Sequence, residues 1–101
     1  LRIYWQGIAA ALLVCAGEAR AAEDVGEALL ERRCGRCHAV TADASSRVKT
    51  APNLWETLRS YPPERLVFEL AEGIGSRHLG MPQIQFTSDE IWAVQVYLSR
   101  E

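Results

Sequence analysis

Cys34-Gly35-Arg36-Cys37-His38 is the stretch that decides how the rest of this chain is read. Two thiols one helical turn apart, followed at once by an imidazole, can grip a porphyrin edge through two thioethers while the histidine ligates its iron from one face. C-x-x-C-H is the attachment signature for c-type haem. Taken alone, the same three side chains also describe half of a zinc site or a redox-active dithiol. Zinc needs four ligands, and only His78 or a carboxylate remains to complete the set. A thioredoxin-like pair expects a βαβ setting, and no strand alternation runs through this chain. The histidine directly after the second thiol and the export signal described below favour haem attachment, which asks what else lines a haem pocket.

Upstream of the motif, Asp24 and Glu27 have the spacing of a capping box that opens a helix toward Arg33. Gly26, Leu29, Leu30 and Arg33 share one face of it. Gly26 costs roughly 1 kcal/mol relative to Ala inside a helix, which is accepted where another helix approaches closely. Downstream, Ala39 to Ala51 is small and polar and reads as a surface loop. A short helix is expected over Trp55 to Tyr61. Pro62-Pro63 stops it and starts another, with Pro63 in the first helical position, a stripe at Leu66, Val67, Leu70 and Ala71, and Gly73 as terminator. Gly73 to Gln85 is a glycine-rich loop carrying His78, Met81 and Pro82. Thr87 and Glu90 then form a second capping box, Phe86 and Ile91 a hydrophobic staple, and the final helix runs from Ser88 to about Ser99. Its apolar residues, Ile91, Val94 and Leu98 but also Trp92, Val96 and Tyr97, require cover on two sides, by the Gly26 helix and by a cofactor.

The chain has 101 residues, 49% hydrophobic and 24% charged, which is a single-domain length. Between Arg2 and Glu18 lies an uncharged, mostly apolar run that meets Ala19-Arg20-Ala21. Positive start, apolar middle and A-x-A exit are the order of a signal peptide, so residues 1–21 are expected to be cleaved and 22–101 to form the domain. The run falls short of the roughly 20 apolar residues of a membrane span, and membrane attachment is expected only if this segment is retained. Cys15 leaves with it, and the remaining two cysteines are the motif pair. The full chain carries a net charge of −2, and cleavage removes Arg2, Arg20 and Glu18, making the domain one charge more negative. No basic patch suggests nucleic acid as a partner. A domain of roughly 80 residues is near the size at which a core alone is marginal, and a covalently held haem would staple it.

From Gly26 to Leu98 the chain resembles the small class I cytochromes c. The resemblance rests on Gly26 and Leu30 at eight and four residues before Cys34, on Cys34-Cys37-His38, Ala51-Pro52-Asn53-Leu54 and Met81-Pro82, and on the closing Thr87, Glu90-Ile91 and Tyr97-Leu98, in that order. It implies an all-α cytochrome c fold, about four to five short helices wrapped around one covalently bound haem c.

It also implies that Met81, the only methionine, is the distal ligand to iron opposite His38. A thioether favours the reduced metal, and Met/His ligation raises the reduction potential. Pro82 biases the Met81 backbone toward an extended form. A methionine filling a core gap is the plain alternative, and His78, three residues away, is a rival ligand. By the same resemblance the Pro52 carbonyl accepts from the other nitrogen of His38, which sets the ring's tautomer. Leu54, Leu66, Leu70, Ile91 and Val94 are candidates for packing on haem, and Arg47, Lys49, Trp55 and Arg77 for hydrogen bonds to its propionates.

The function implied is that of a periplasmic bacterial one-electron carrier between redox proteins, a monomer or a subunit of a redox complex such as a dehydrogenase. By the same resemblance it is expected to carry electrons and not to act as an enzyme in its own right. A five-coordinate haem protein binding gases or peroxide is the alternative if Met81 does not ligate.

Overall fold

The computed structural model describes residues 2–74 and 80–100, with side chains from Gly17 onward except that of Ala19. It is mostly helical. Four helices follow in order: α1 (Arg2–Cys34), α2 (Leu54–Arg59), α3 (Pro63–Glu72) and α4 (Ser88–Leu98). Helix α1 is far longer than the expected segment from Asp24 to Arg33, and this is the main correction to the sequence reading. Asp24 caps nothing, because the helix passes straight through it. The alanine-rich run from Ala16 to Ala22 favours helix and contains no proline, so nothing before Asp24 starts the helix afresh. Among the described residues no helix is long and apolar enough to cross a membrane.

The other three helices are set by their ends. Asn53 caps α2, its side chain accepting from the Glu56 N–H at 3.3 Å, so the helix begins one residue before Trp55 and ends at Arg59. Pro63 opens α3 and Gly73, at φ 113°, closes it. Only Leu66 and Leu70 of the expected α3 stripe are buried; Val67 and Ala71 are exposed, since α3 is covered along a narrow strip. At α4 both halves of the capping box form: Thr87 Oγ1 accepts from the Glu90 N–H at 3.3 Å and the Glu90 carboxylate accepts from the Thr87 N–H at 2.9 Å. That backbone hydrogen bond holds the Glu90 carboxyl below the usual carboxylate range, partial burial opposes it, and the Arg33 charge adds to the lowering.

Helices α1 and α4 form the antiparallel pair on which the rest is built. Arg33 at the end of α1 meets Glu90 at the start of α4 at 2.7 Å, while Arg100, just past α4, reaches back to Glu23 at 3.3 Å and Glu27 at 3.4 Å. Gly26 lies at their crossing: a Cβ there would overlap the Ala93 carbonyl oxygen and stand 2.8 Å from the Tyr97 Cβ. Leu30, Leu54, Leu58, Leu70, Val94 and Tyr97 are at the heart of the buried core. Ile91, Tyr97 and Leu98 of α4 are buried as expected, but Trp92 is 58% exposed. Cover on two sides therefore leaves one edge of α4 open.

Tyr97 ties this pair to the loop after the motif. Its hydroxyl donates to the Val40 carbonyl at 2.6 Å, and its ring meets Trp55 edge-on at 5.1 Å. Burial raises the phenol above its ordinary pKa, and the charge of Glu27 acts the same way. A raised phenol pKa contributes stability that is present below the unfolded value of about 10 and is lost as pH rises through the folded value. Tyr97→Phe is expected to lower stability by about 1–3 kcal/mol, because the Val40 carbonyl loses its partner. The same variant should also flatten the alkaline decline; denaturant midpoints at neutral and alkaline pH measure both effects.

Candidate cofactor cleft

Helix α1 ends where the motif begins. The Cys34 carbonyl accepts from the N–H groups of Cys37, at 3.2 Å, and His38, at 2.9 Å, winding the motif into a tight turn at the helix end. Arg32 and Arg33 in the last turn suit the negative end of the helix dipole. The loop that follows is held onto the motif: the Val48 N–H donates to the Cys37 carbonyl at 3.1 Å, and the Asn53 amide bridges the carbonyls of Thr41 and Ala44 at 2.9 Å each. This loop brings Pro52 beside His38, whose Nδ1 stands 2.8 Å from the Pro52 carbonyl oxygen. A carbonyl only accepts, so Nδ1 carries the proton and the lone pair of the neutral ring lies on Nε2. Nε2 is thus the atom that can coordinate a metal. His38 is buried.

Cys34, Cys37 and His38 line a cavity of about 310 Å³ together with Gly80, Met81 and Pro82 from the loop between α3 and α4. A second, small and wholly apolar hollow of about 30 Å³ shares Cys34, Met81 and Ile84 with it and is walled by Leu30, Leu54, Leu58, Leu70, Ile74 and Phe86. Two thiols, an imidazole and a thioether thus face one partly enclosed space backed by hydrocarbon. These residues fit a haem: they provide attachment points, a nitrogen and a sulfur donor, and an apolar bed.

The fit to the competing readings of the motif is poorer. Burial pushes the Cys34 thiol from its ordinary 9 up to about 11, with the nearby Arg33 charge pulling the other way. A thiol held in its protonated form is a slow redox nucleophile, which weakens the dithiol reading. Among the described residues no three His, Cys, Asp or Glu side chains gather where they could hold a metal ion.

The packing and propionate candidates divide. Leu54 and Leu70 line the apolar hollow, whereas Ile91 and Val94 belong to the core and Leu66 borders a different hollow of about 160 Å³ between α2, α3 and α4. Leu30, Leu58, Ile74, Ile84 and Phe86 take their place; three of them fall outside the helical stripes because they sit where loop and helix meet. Arg47 and Lys49 border a separate surface hollow, and Trp55 is buried against Tyr97 with Arg59 over its ring. The cations at the cleft are instead Arg32, Arg33 and Arg36, which a helix ending at the motif carries there automatically. His78 and Arg77 lie outside the described residues. The loop is also closed by a feature that leaves no mark on periodicity, a single antiparallel bridge between Ile74 and Ile84. No protein-family model, curated protein or solved structure matches the chain.

Proposed function

We propose that this chain is a monohaem c-type cytochrome with the class I fold, exported to the periplasm, carrying single electrons between redox proteins. The observation that supports it most is that Cys34, Cys37, His38 and Met81 line one cavity, although Met81 is more than forty residues beyond the motif. When bound, the haem supplies an iron that cycles between ferrous and ferric.

The chain's own residues do the rest. Cys34 and Cys37, at the end of α1, would hold the group covalently, so that it would not be lost with each change of redox state. The Pro52 carbonyl fixes His38 in the tautomer that presents Nε2. Met81 offers a soft donor that favours the reduced metal. Leu30, Leu54, Leu58, Leu70 and Phe86 exclude water from one side and thereby help set the potential. With His38 and Met81 both available to hold the iron, substrates would find no open coordination site, which suits electron carriage rather than catalysis. Docking to redox partners is expected to be weak and brief, over a small interface.

The test is expression in a bacterial host with haem-attachment machinery, followed by intact mass and visible spectra in both oxidation states. The expected result is a mass increase of one haem that survives acid extraction, and a ferric sulfur-to-iron charge-transfer band. Colourless protein, or rapid carbon monoxide binding by the ferrous form, would sink the proposal.

A further inference from the structure

We infer that Arg33 is a positioning residue that latches the Met81 loop shut, a conclusion that rests on the ligand role proposed for Met81. Arg33 directly precedes Cys34 and reaches two groups at the far end of that loop and one in the first turn of α4. Its Nη2 donates to Glu90 Oε2 at 2.7 Å, its Nη1 donates to the Gln85 carbonyl at 3.0 Å, and its guanidinium stacks over the Phe86 ring at 5.0 Å. Among the described residues this is the only side-chain hydrogen bond from α1 to the segment from Gly80 to Phe86. The segment is otherwise tied on its other side, to α3 and the residues just past it, by the Ile74–Ile84 bridge, by the Phe86 N–H on the Leu70 carbonyl at 2.9 Å, and by the side chains of Gln83 and Gln85 on the Glu72 carbonyl.

An ion pair between two surface helices is ordinarily worth little, because both charges give up good solvation. Arg33 differs in two respects. Its side chain and that of Glu90 are only 31% and 22% exposed. The planar guanidinium also serves a carboxylate and a carbonyl at once, which a lysine, with its single point charge, matches less well. Glu90 is in turn engaged by the α4 capping box, so one side chain fastens the motif helix, the returning loop and the start of α4. Met81 lies four residues before Gln85 in that loop. Lifting Met81 off its partner requires the loop to swing, and Arg33 opposes the swing from the motif side.

The experiment uses the haem-loaded protein and three variants. Arg33→Met keeps the apolar stem over Phe86 and deletes both hydrogen bonds; Arg33→Lys retains the charge alone. Arg100→Met cuts the ion pairs at the opposite end of the same helix pair. Exogenous imidazole competes with Met81 in the ferric protein, so its affinity reads how easily the loop opens. Arg33→Met is expected to bind imidazole about tenfold more tightly, equivalent to about 1.4 kcal/mol, with Arg33→Lys intermediate. Arg100→Met is expected to lower the melting temperature yet leave imidazole affinity unchanged. Equal affinities for the parent and Arg33→Met, or an equal gain in Arg100→Met, would overturn the inference and leave Arg33 a plain helix-pairing residue. If the parent shows no sulfur-to-iron band, the ligand reading has failed, and amide exchange decides the latch independently. Faster exchange at Ile84 and Phe86 in Arg33→Met, by about tenfold, supports it, and unchanged exchange rejects it.

Discussion

On the ligation proposed above, replacing Met81 by Ala is expected to convert a closed iron into an open one. The ferric sulfur-to-iron band should vanish, the reduction potential should fall, and the ferrous protein should pass from refusing carbon monoxide to binding it stoichiometrically. The direction follows from ligand chemistry. A thioether stabilises the ferrous state, and its loss leaves water or nothing in its place. The chain contains no second methionine to substitute for it. Stability should also fall, by about 2 kcal/mol, the low end for truncating a methionine because Met81 is only half-buried. The two effects are separable. A methionine that merely filled a gap would produce the stability loss with an unaltered spectrum. That outcome would move attention to His78, and the double variant Met81→Ala with His78→Ala would then be the one to open the iron.

What could be read in advance depended on whether the controlling interaction is local. The Thr87–Glu90 capping box, Pro63 at the start of α3 and Gly73 at its end are contacts within one turn of helix, and their residue types follow from the orphan backbone groups they serve. Gly26 was legible for a related reason, since an unfavourable residue in a helix signals close approach even though its partner cannot be named. The beginning of α1 was not legible, because Asp24 has the chemistry of a cap but nothing before it breaks the helix. Long-range placement was lost most often. Arg47 and Lys49 carry the same sign of charge as Arg32 and Arg36, and only the path of the loop from Ala39 to Asn53 sends the first pair away from the cleft. Ile74 and Ile84 make one bridge, too short to leave an alternating pattern. Within the cleft, the motif residues were legible from spacing, and Met81 from its order along the chain. The hydrocarbon bed of Leu58, Ile74, Ile84 and Phe86 required the fold.

The second large effect is expected at Gly26, where two principles predict opposite signs. Helix propensity alone says that Gly26→Ala should stabilise α1 by about 1 kcal/mol. The crossing says otherwise. An alanine Cβ would overlap the Ala93 carbonyl oxygen and fall 2.7 Å from its carbon and 2.8 Å from the Tyr97 Cβ, and two of those three atoms are backbone. No rotamer change removes the clash, so α1 and α4 must separate. Overpacking of this kind costs typically about 1–3 kcal/mol, and a backbone obstacle places it toward the upper end, leaving a net loss of about 2 kcal/mol. For a domain of this size that is a fall in melting temperature of roughly 8–16 °C. Gly26→Val adds a branched side chain at the same point and should prevent stable folding. Ala28, exposed on the same helix, supplies the comparison: Ala28→Gly should cost only the propensity difference, about 1 kcal/mol. Stability of the haem-loaded variants in denaturant measures all three. Separation of the helices would also stretch the Arg33–Glu90 pair, whose arginine lines the cleft, and the Tyr97–Val40 hydrogen bond, which ties α4 to the loop after the motif. Gly26→Ala should therefore loosen Met81 as well, and a rise in imidazole affinity alongside the lower melting temperature would show that the helix crossing governs how firmly the cleft closes. An alanine variant as stable as the parent would mean that α1 and α4 do not meet this closely.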